Sequence, residues 1–455
     1  MYEHYPLLSI LIGIALISIS IGPYQNIDTQ LEYEAASGVL RWGMPYIKTA
    51  GNMVNQPPLA FYIDALFFKV FGLSLDKGVA IITLFGLGCT FLVYKIGKFL
   101  YSKPTGLFAA ALFALTPWQV VLSRSFLIDA QCLFFSLLFL FVGIYAIRQS
   151  SFRLFLLSGI FFGIAFLTKF FAVYALIPLG VYFVYYRPKN LRIALKWAVA
   201  FFVPAVLFAF LWYQIISGGW VLSALNHDDF LNFNSAGFVP APLFLGNFLS
   251  NTLGVLFMAA AIFSLVICFW RRKLFAKILP FDLMCLASIV AVGSINIFLV
   301  FGLNLSSPYL NPIKYDYQFL PFLSLLAASL VYKFPPLFTS VKSKEKLSKL
   351  LFAIVSVGLV LLVIAMFLNM NYINDRSTWD HWLFRVEPDK DLGYSFINLA
   401  PIGKESFLMN VQYFGFAMVL SGLVWVGREK VASFVRWQVA KLRSGRARFR
   451  EKHEA

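Results

Sequence analysis

The chain has 455 residues; 60% are apolar, 18% aromatic and only 13% charged, and the mean hydropathy is +0.77. A soluble protein of this length would carry about 25% charged residues over two or three domains, so a soluble enzyme, a nucleic-acid-binding module and a disordered scaffold are excluded for the chain as a whole. The formal net charge of +17 reports topology before partners, because Lys and Arg collect on the cytoplasmic side of membrane spans.

Apolar stretches recur at lengths of roughly 17–25 residues, the span of a bilayer by an α-helix. The first, Pro6–Ile21, has no Lys or Arg before it and no small-residue cleavage site after it, so it reads as an uncleaved span and not a signal peptide. A mixed polar segment, Gly22–Gln56, leads to a short apolar helix, Pro57–Gly72. That helix would rise only about 24 Å, short of the ~30 Å hydrocarbon core. It also carries Asp64 and Lys69, both costly at membrane depth, and is therefore laid along the outer interface. Further spans are predicted near 78–94, 105–122, 130–147, 154–168, 170–186, 197–217, 246–270, 279–303, 318–331, 351–370 and 408–426. The expectation is an all-α polytopic membrane protein of about 12 transmembrane helices, with both termini inside and interfacial helices in a first outer loop, 22–77.

This arrangement puts 27 of the 38 Lys and Arg on the cytoplasmic side and 15 of the 21 acidic residues outside, a strong positive-inside asymmetry. A thirteen-span arrangement would move only Arg41 and Lys48 across, so the asymmetry fixes everything after residue 78. Residues 1–426 form one membrane domain, and 427–455 form a basic cytoplasmic tail suited to anionic membrane lipid, with no nucleic-acid partner expected. Cys89, Cys132, Cys268 and Cys285 lie in apolar segments without a CxxC spacing, as small packing residues do. The four histidines are scattered, and His227-Asp-Asp229, which could bind metal, reads first as a solvated loop. Internal repeats of the kind that mark many transporters are not evident.

The ionisable residues that invite a chemical role fall at the outer ends of spans. In the first loop Asp28 and Glu32 share one helical face, while Leu31, Ala35 and Val39 form a stripe suited to a helix lying against the membrane. Asp28 also suits a helix cap, and Thr29-x-x-Glu32 fits a capping box. Gln56-Pro-Pro-Leu59 is a helix start with proline in the first turn. Ser123-Arg-Ser-Phe-Leu-Ile-Asp129 is a tight outer turn: Arg124 snorkels and Asp129 caps the next helix, or the two contribute a cation and a carboxylate to a shared pocket. Lys169, in Leu167-Thr-Lys-Phe170, and Lys314, in Asn311-Pro-Ile-Lys-Tyr-Asp-Tyr317, are outer cations against the charge trend. Taken together, these turns suit a site that handles an anionic lipid head group.

The order of these groups resembles the polyprenyl-phosphate-sugar-dependent glycosyltransferases of the GT-C superfamily, specifically the protein O-mannosyltransferases and the aminoarabinose lipid A transferases. The resemblance is carried by Asp28-Thr-Gln-Leu-Glu-Tyr33, Gly43-Met-Pro-Tyr46, Gln56-Pro-Pro-Leu-Ala-Phe-Tyr62 running to Phe71-Gly72, Arg124 to Asp129, Leu167-Thr-Lys169 and Lys314-Tyr-Asp-Tyr-Gln-Phe-Leu-Pro321. It covers residues 6–186 and thins afterwards. Two departures stand out: Thr29 replaces the second acid of the mannosyltransferase Asp-Glu pair, and Gln56 replaces the lysine before Pro-Pro in aminoarabinose-type members. The β-trefoil domain of eukaryotic protein mannosyltransferases is missing, so a protein acceptor is not implied.

The resemblance implies a GT-C-like fold and a donor with one sugar on a polyprenyl phosphate. The acceptor, a lipid, glycan or protein, would be met on the extracytoplasmic face of a prokaryotic cell membrane. Transfer by inversion needs a base opposite the leaving phosphate, a role expected of Asp28, with Asp129 as a second catalytic carboxylate. Arg124, Lys169, Lys314 and Lys48 are the expected phosphate contacts, and Glu32, Tyr33, Gln56, Tyr62 and Tyr317 the expected substrate contacts. The resemblance names no definite cofactor, and a divalent metal ion between Asp28 and Asp129 is left open. The rival class is a secondary transporter or polyprenyl-lipid flippase, which would place ionisable residues near the bilayer midplane.

Overall fold

In a computed structural model the described residues are 5–20, 27–54, 56–188, 190–211, 252–302, 317–334, 345–373 and 410–425. The helices are α1 (Tyr5–Ser20), α2 (Ile27–Trp42), α3 (Leu59–Phe71), α4 (Leu75–Leu100), α5 (Lys103–Leu115), α6 (Pro117–Arg124), α7 (Asp129–Gln149), α8 (Phe152–Thr168), α9 (Leu176–Tyr186), α10 (Leu191–Leu211), α11 (Thr252–Trp270), α12 (Leu279–Gly302), α13 (Leu320–Ala328), α14 (Leu330–Lys333), α15 (Glu345–Ile373) and α16 (residues 410–425). A two-stranded antiparallel hairpin, β1 (Tyr46–Ile47) and β2 (Asn52–Met53), follows α2. The protein is an all-α polytopic membrane protein. Among the described residues four helices are long and apolar enough to cross a membrane: α4, α7, the window Leu191–Phe208 of α10 and the window Leu350–Phe367 of α15. Six shorter apolar helices accompany them.

Helix α4 runs through the centre, packing on α5 and α7; α7 packs on α8, and α8 on α10. On the other side α13 is wedged between α5 and α11, and α12 lies on α9. The first and last described helices, α1 and α16, meet. A Cβ on Gly13 of α1 would collide with the Gly415 carbonyl oxygen on α16, and Ser9 Oγ donates to the Met418 carbonyl at 2.6 Å. Small residues and a hydroxyl at a close helix crossing are how membrane helices associate where lipid gives no hydrophobic drive.

Several expectations are corrected here. The single span expected over 105–122 is broken at Thr116, because Pro117 cannot supply the N–H that would continue α5; α6 restarts with that proline in its first turn. The segment 170–186 begins as a 3₁₀ turn, Phe170–Ala175, before α9. The stripe Leu31, Ala35 and Val39 packs on the protein core and not on lipid, with Ala35 fully buried. Lys333, counted among the cytoplasmic loop cations, is fully buried: its ammonium lies 2.8 Å from Asp282 Oδ2 and donates to Ser264 Oγ at 2.6 Å, while Tyr101 donates to Asp282 Oδ1 at 2.8 Å. One clamp thus joins α4, α11, α12 and α14.

Candidate functional site

The start of α7 is a hub for three separate parts of the chain. Its cap residue, Ile128, has no polar side chain, and its N–H donates instead to Glu32 Oε2 of α2 at 2.8 Å. A carboxyl at a helix N-terminus meets both unpaired amides and the positive end of the helix dipole. Next in sequence, Asp129 accepts from Lys169 Nζ with both oxygens, each at 2.8 Å. Lys169 reaches this point because α8 stops at Thr168 and the chain turns into extended backbone before the 3₁₀ turn. Its ammonium also lies 5.4 Å from the centre of the Phe171 ring, a cation–π distance. Two residues later, Gln131 Nε2 donates to Asp64 Oδ1 of α3 at 2.5 Å.

These groups are enclosed: Glu32 is 6% exposed, Asp129 1%, Lys169 5%, and Asp64 and Gln131 0%. Burial is the main cause that pushes the Glu32 carboxyl up to about 8; the Lys169 ammonium pulls against it, while Asp129 and Asp28 add to the rise. Burial likewise raises the Asp64 carboxyl well above the usual carboxylate range, against its bond from Gln131. A perturbed carboxyl beside a buried ammonium makes this place a candidate functional site.

Asp28 stands in the first turn of α2, half-buried, one turn before Glu32, and close enough for its charge to act on Glu32. Thr29 and Glu32 both lie within α2, and Glu32 Oε2 accepts from the Ile128 N–H. Asp129 likewise pairs with Lys169 and not with Arg124; Arg124, ending α6, donates from Nη1 to Thr83 Oγ1 at 3.2 Å.

The other expected residues are spread more widely. Tyr33 sets its ring edge-on to Phe68 and Phe126, at 5.6 and 5.8 Å. Tyr62 donates to the Gly43 carbonyl at 2.8 Å, tying α3 to the turn after α2. Gln56 is half-buried, with Oε1 enclosed and unpartnered among the described residues. Lys48 is exposed, in the hairpin turn next to Thr49, whose hydroxyl and amide hold the Glu34 carboxyl below its ordinary range. Tyr317 is fully buried, and its hydroxyl donates to Gln119 Oε1. Lys314 and His227–Asp229 lie outside the described residues.

Sequence reasoning missed Gln131 altogether and read Asp64 only as a cost. The available signal was Asp64 itself, an ionisable residue in an apolar helix, which by default asks for a named partner. Both Asp129 oxygens accept from the Lys169 ammonium, a neighbour that would repel a divalent cation. Among the described residues no three His, Cys, Asp or Glu side chains gather as metal ligands.

Comparison with known proteins bears on this region directly. Residues 55–213 match the family described as dolichyl-phosphate-mannose-protein mannosyltransferase, a stretch that includes Asp64, Arg124, Asp129, Gln131 and Lys169. YycA of Bacillus subtilis strain 168, provisionally named a mannosyltransferase, is 29% identical over 130 residues, or 29% of this chain and 19% of that protein. YkcB of the same strain, similarly named, is 28% identical over 125 residues, 28% of this chain and 18% of that protein. The alignments thus span less than a fifth of those relatives' length. Among solved structures, ArnT from Cupriavidus metallidurans superposes in the apo state with a TM-score of 0.57 at 14% identity, covering 94% of this chain and 77% of that one. The same protein bound to undecaprenyl phosphate gives 0.54 at 15% identity, covering 93% and 77%. The Archaeoglobus fulgidus oligosaccharyltransferase gives 0.50 at 14%, covering 91% and 64%. At these identities the likeness is one of fold: the chain shares the polytopic helical fold of ArnT and of that oligosaccharyltransferase.

Proposed function

We propose that this protein is a glycosyltransferase that moves one sugar from a polyprenyl phosphate to an acceptor at the extracytoplasmic face of a prokaryotic membrane. The observation that carries the reading is the convergence of Glu32, Asp129 and Lys169 at the start of α7; Asp129 and Lys169 lie within the stretch that matches a mannosyltransferase family. The GT-C fold and the likeness to ArnT bound to undecaprenyl phosphate support a lipid-linked donor.

In this reading the acceptor hydroxyl gives its proton to Asp28 as its oxygen attacks the anomeric carbon. The bond from that carbon to the phosphate oxygen breaks on the opposite face, and its electron pair leaves with the polyprenyl phosphate. Inversion follows from that in-line geometry. Negative charge grows on the leaving oxygen, and an ammonium in a dry site stabilises it far better than water would. Lys169 takes that part, with Arg124, Lys314 and Lys48 as further phosphate contacts. Asp129 holds Lys169 in place until the phosphate arrives. No step is routed through a metal ion.

The rival reading, a transporter or lipid flippase, would rest on the buried Asp282–Lys333 pair. That pair is closed by Tyr101 and Ser264 into a structural clamp, which favours the enzyme. Mass spectrometry of lipid that co-purifies with the protein tests the class. A polyprenyl phosphate, with or without its sugar, is the expected species; bulk phospholipid alone would count against it.

A further inference from the structure

Asp64 has no part in the chemistry described above, yet its surroundings are unusual. It sits in the middle of α3, fully enclosed, and among the described residues no cation is paired with it. Its partner is an equally enclosed neutral amide, Gln131, which gives one hydrogen bond to Oδ1. Each side chain then has one polar atom left over. Asp64 Oδ2 and Gln131 Oε1 are both cut off from solvent, with no partner among the described residues. Both are acceptors when Asp64 is ionised, so the pair is one donor short. A buried, unpaired carboxylate is among the costlier groups a protein can enclose.

One proton on Oδ2 supplies the missing donor. Oδ2–H then donates to Gln131 Oε1 while Gln131 Nε2–H donates to Oδ1, closing the two-bond ring that a carboxylic acid forms with a primary amide. We propose that Asp64 is a neutral carboxylic acid, joined to Gln131 in this ring, and that it is a positioning residue for the first turn of α7. Gln131 lies two residues after Asp129, so the ring fixes the turn from which Asp129 reaches Lys169. Glu32 holds the other side of the same turn through the Ile128 N–H. Both α2 and α3 are thus fastened to α7 by carboxyl groups, α3 without burying a charge. The effect on transfer rests on the glycosyltransferase reading; the protonation state of Asp64 does not.

The test uses the full chain in lipid nanodiscs, with infrared difference spectra of wild type minus Asp64→Asn at neutral pH and thermal unfolding of the same samples. A carbonyl-stretch band of a protonated carboxylic acid, absent from the variant, is expected. Asn makes the same two bonds as the neutral acid, so Asp64→Asn should melt near wild type, whereas Asp64→Ala and Gln131→Leu melt lower. Transfer should fall in Asp64→Ala and return in Asp64→Asn. Absence of the acid band from wild type overturns the proposal even if Asp64→Ala cannot be purified. Loss of transfer in Asp64→Asn with its melting temperature retained overturns the positioning role. A wild type that transfers no sugar but shows the band would refute the enzymatic reading and leave the neutral acid standing.

Discussion

At the scale of single residues, Lys169 is the buried counter-ion of Asp129. Removing one buried partner leaves the other charge uncompensated, typically at a cost of about 3–5 kcal/mol, whereas replacing both by apolar groups is often close to neutral. Lys169→Ala should therefore lower stability by about that amount, and Lys169→Met with Asp129→Leu should recover most of it, as read by thermal unfolding in detergent. Neither protein should transfer sugar. Recovery of stability together with activity would return the pair to a purely structural role. Glu32 makes a separate prediction. Its carboxyl binds a proton up to about pH 8 in the folded protein, against 4.5 as the ordinary value, so between those values the folded state holds more protons than the unfolded one. Its contribution to stability is then full below 4.5, falls as pH rises, and levels off above about 8. Glu32→Gln should flatten that slope in a series of melting temperatures against pH.

At the scale of elements, what could be read in advance depended on where each partner lies in the chain. The helix content, the break before α4 and the short α3 follow from local pattern: Gly72 ends α3 with φ of +89°, and Ser74 caps α4. Asp129 and Lys169 could be singled out because each is a charge on an outer turn. Their pairing could not, nor could the bond from Ile128 to Glu32 or the bond from Gln131 to Asp64. Those contacts join residues 40, 96 and 67 positions apart, and a capping box or a snorkelling arginine fits the local spacing equally well. Lys333 shows the same limit. It looks like one more cytoplasmic lysine, and only the packing of α11 and α12 around it encloses the charge. Lys333→Met leaves the Asp282 carboxylate unpaired in that interior and should destabilise the protein by about 3–5 kcal/mol; an unchanged unfolding temperature would mean that water reaches Asp282.

At the scale of the whole molecule, the reading requires the first loop to face the exterior while the basic turns face the cytosol. Lys48 and Arg272 are both exposed, and the four native cysteines are buried, so each position can carry a single reactive thiol. Lys48→Cys should react with a membrane-impermeant maleimide in intact cells, and Arg272→Cys only after the membrane is opened. Labelling in the reverse sense would invert the site. With that orientation, the early carboxyls of α2 and α3 and the later Lys169 turn meet at the head of α7, beside the leaflet from which a lipid-linked donor would enter.

The central claim is sugar transfer with Asp28 as the base. It is tested most directly by following polyprenyl-phosphate donors that carry a hexose or a pentose in nanodiscs, with an extract of membrane lipids and glycans as the acceptor source, by mass spectrometry, for wild type and Asp28→Asn. The account predicts conversion of one such donor to free polyprenyl phosphate by wild type, slowed about 10²–10⁴-fold in the variant with donor binding retained. Equal rates in the two proteins would contradict it.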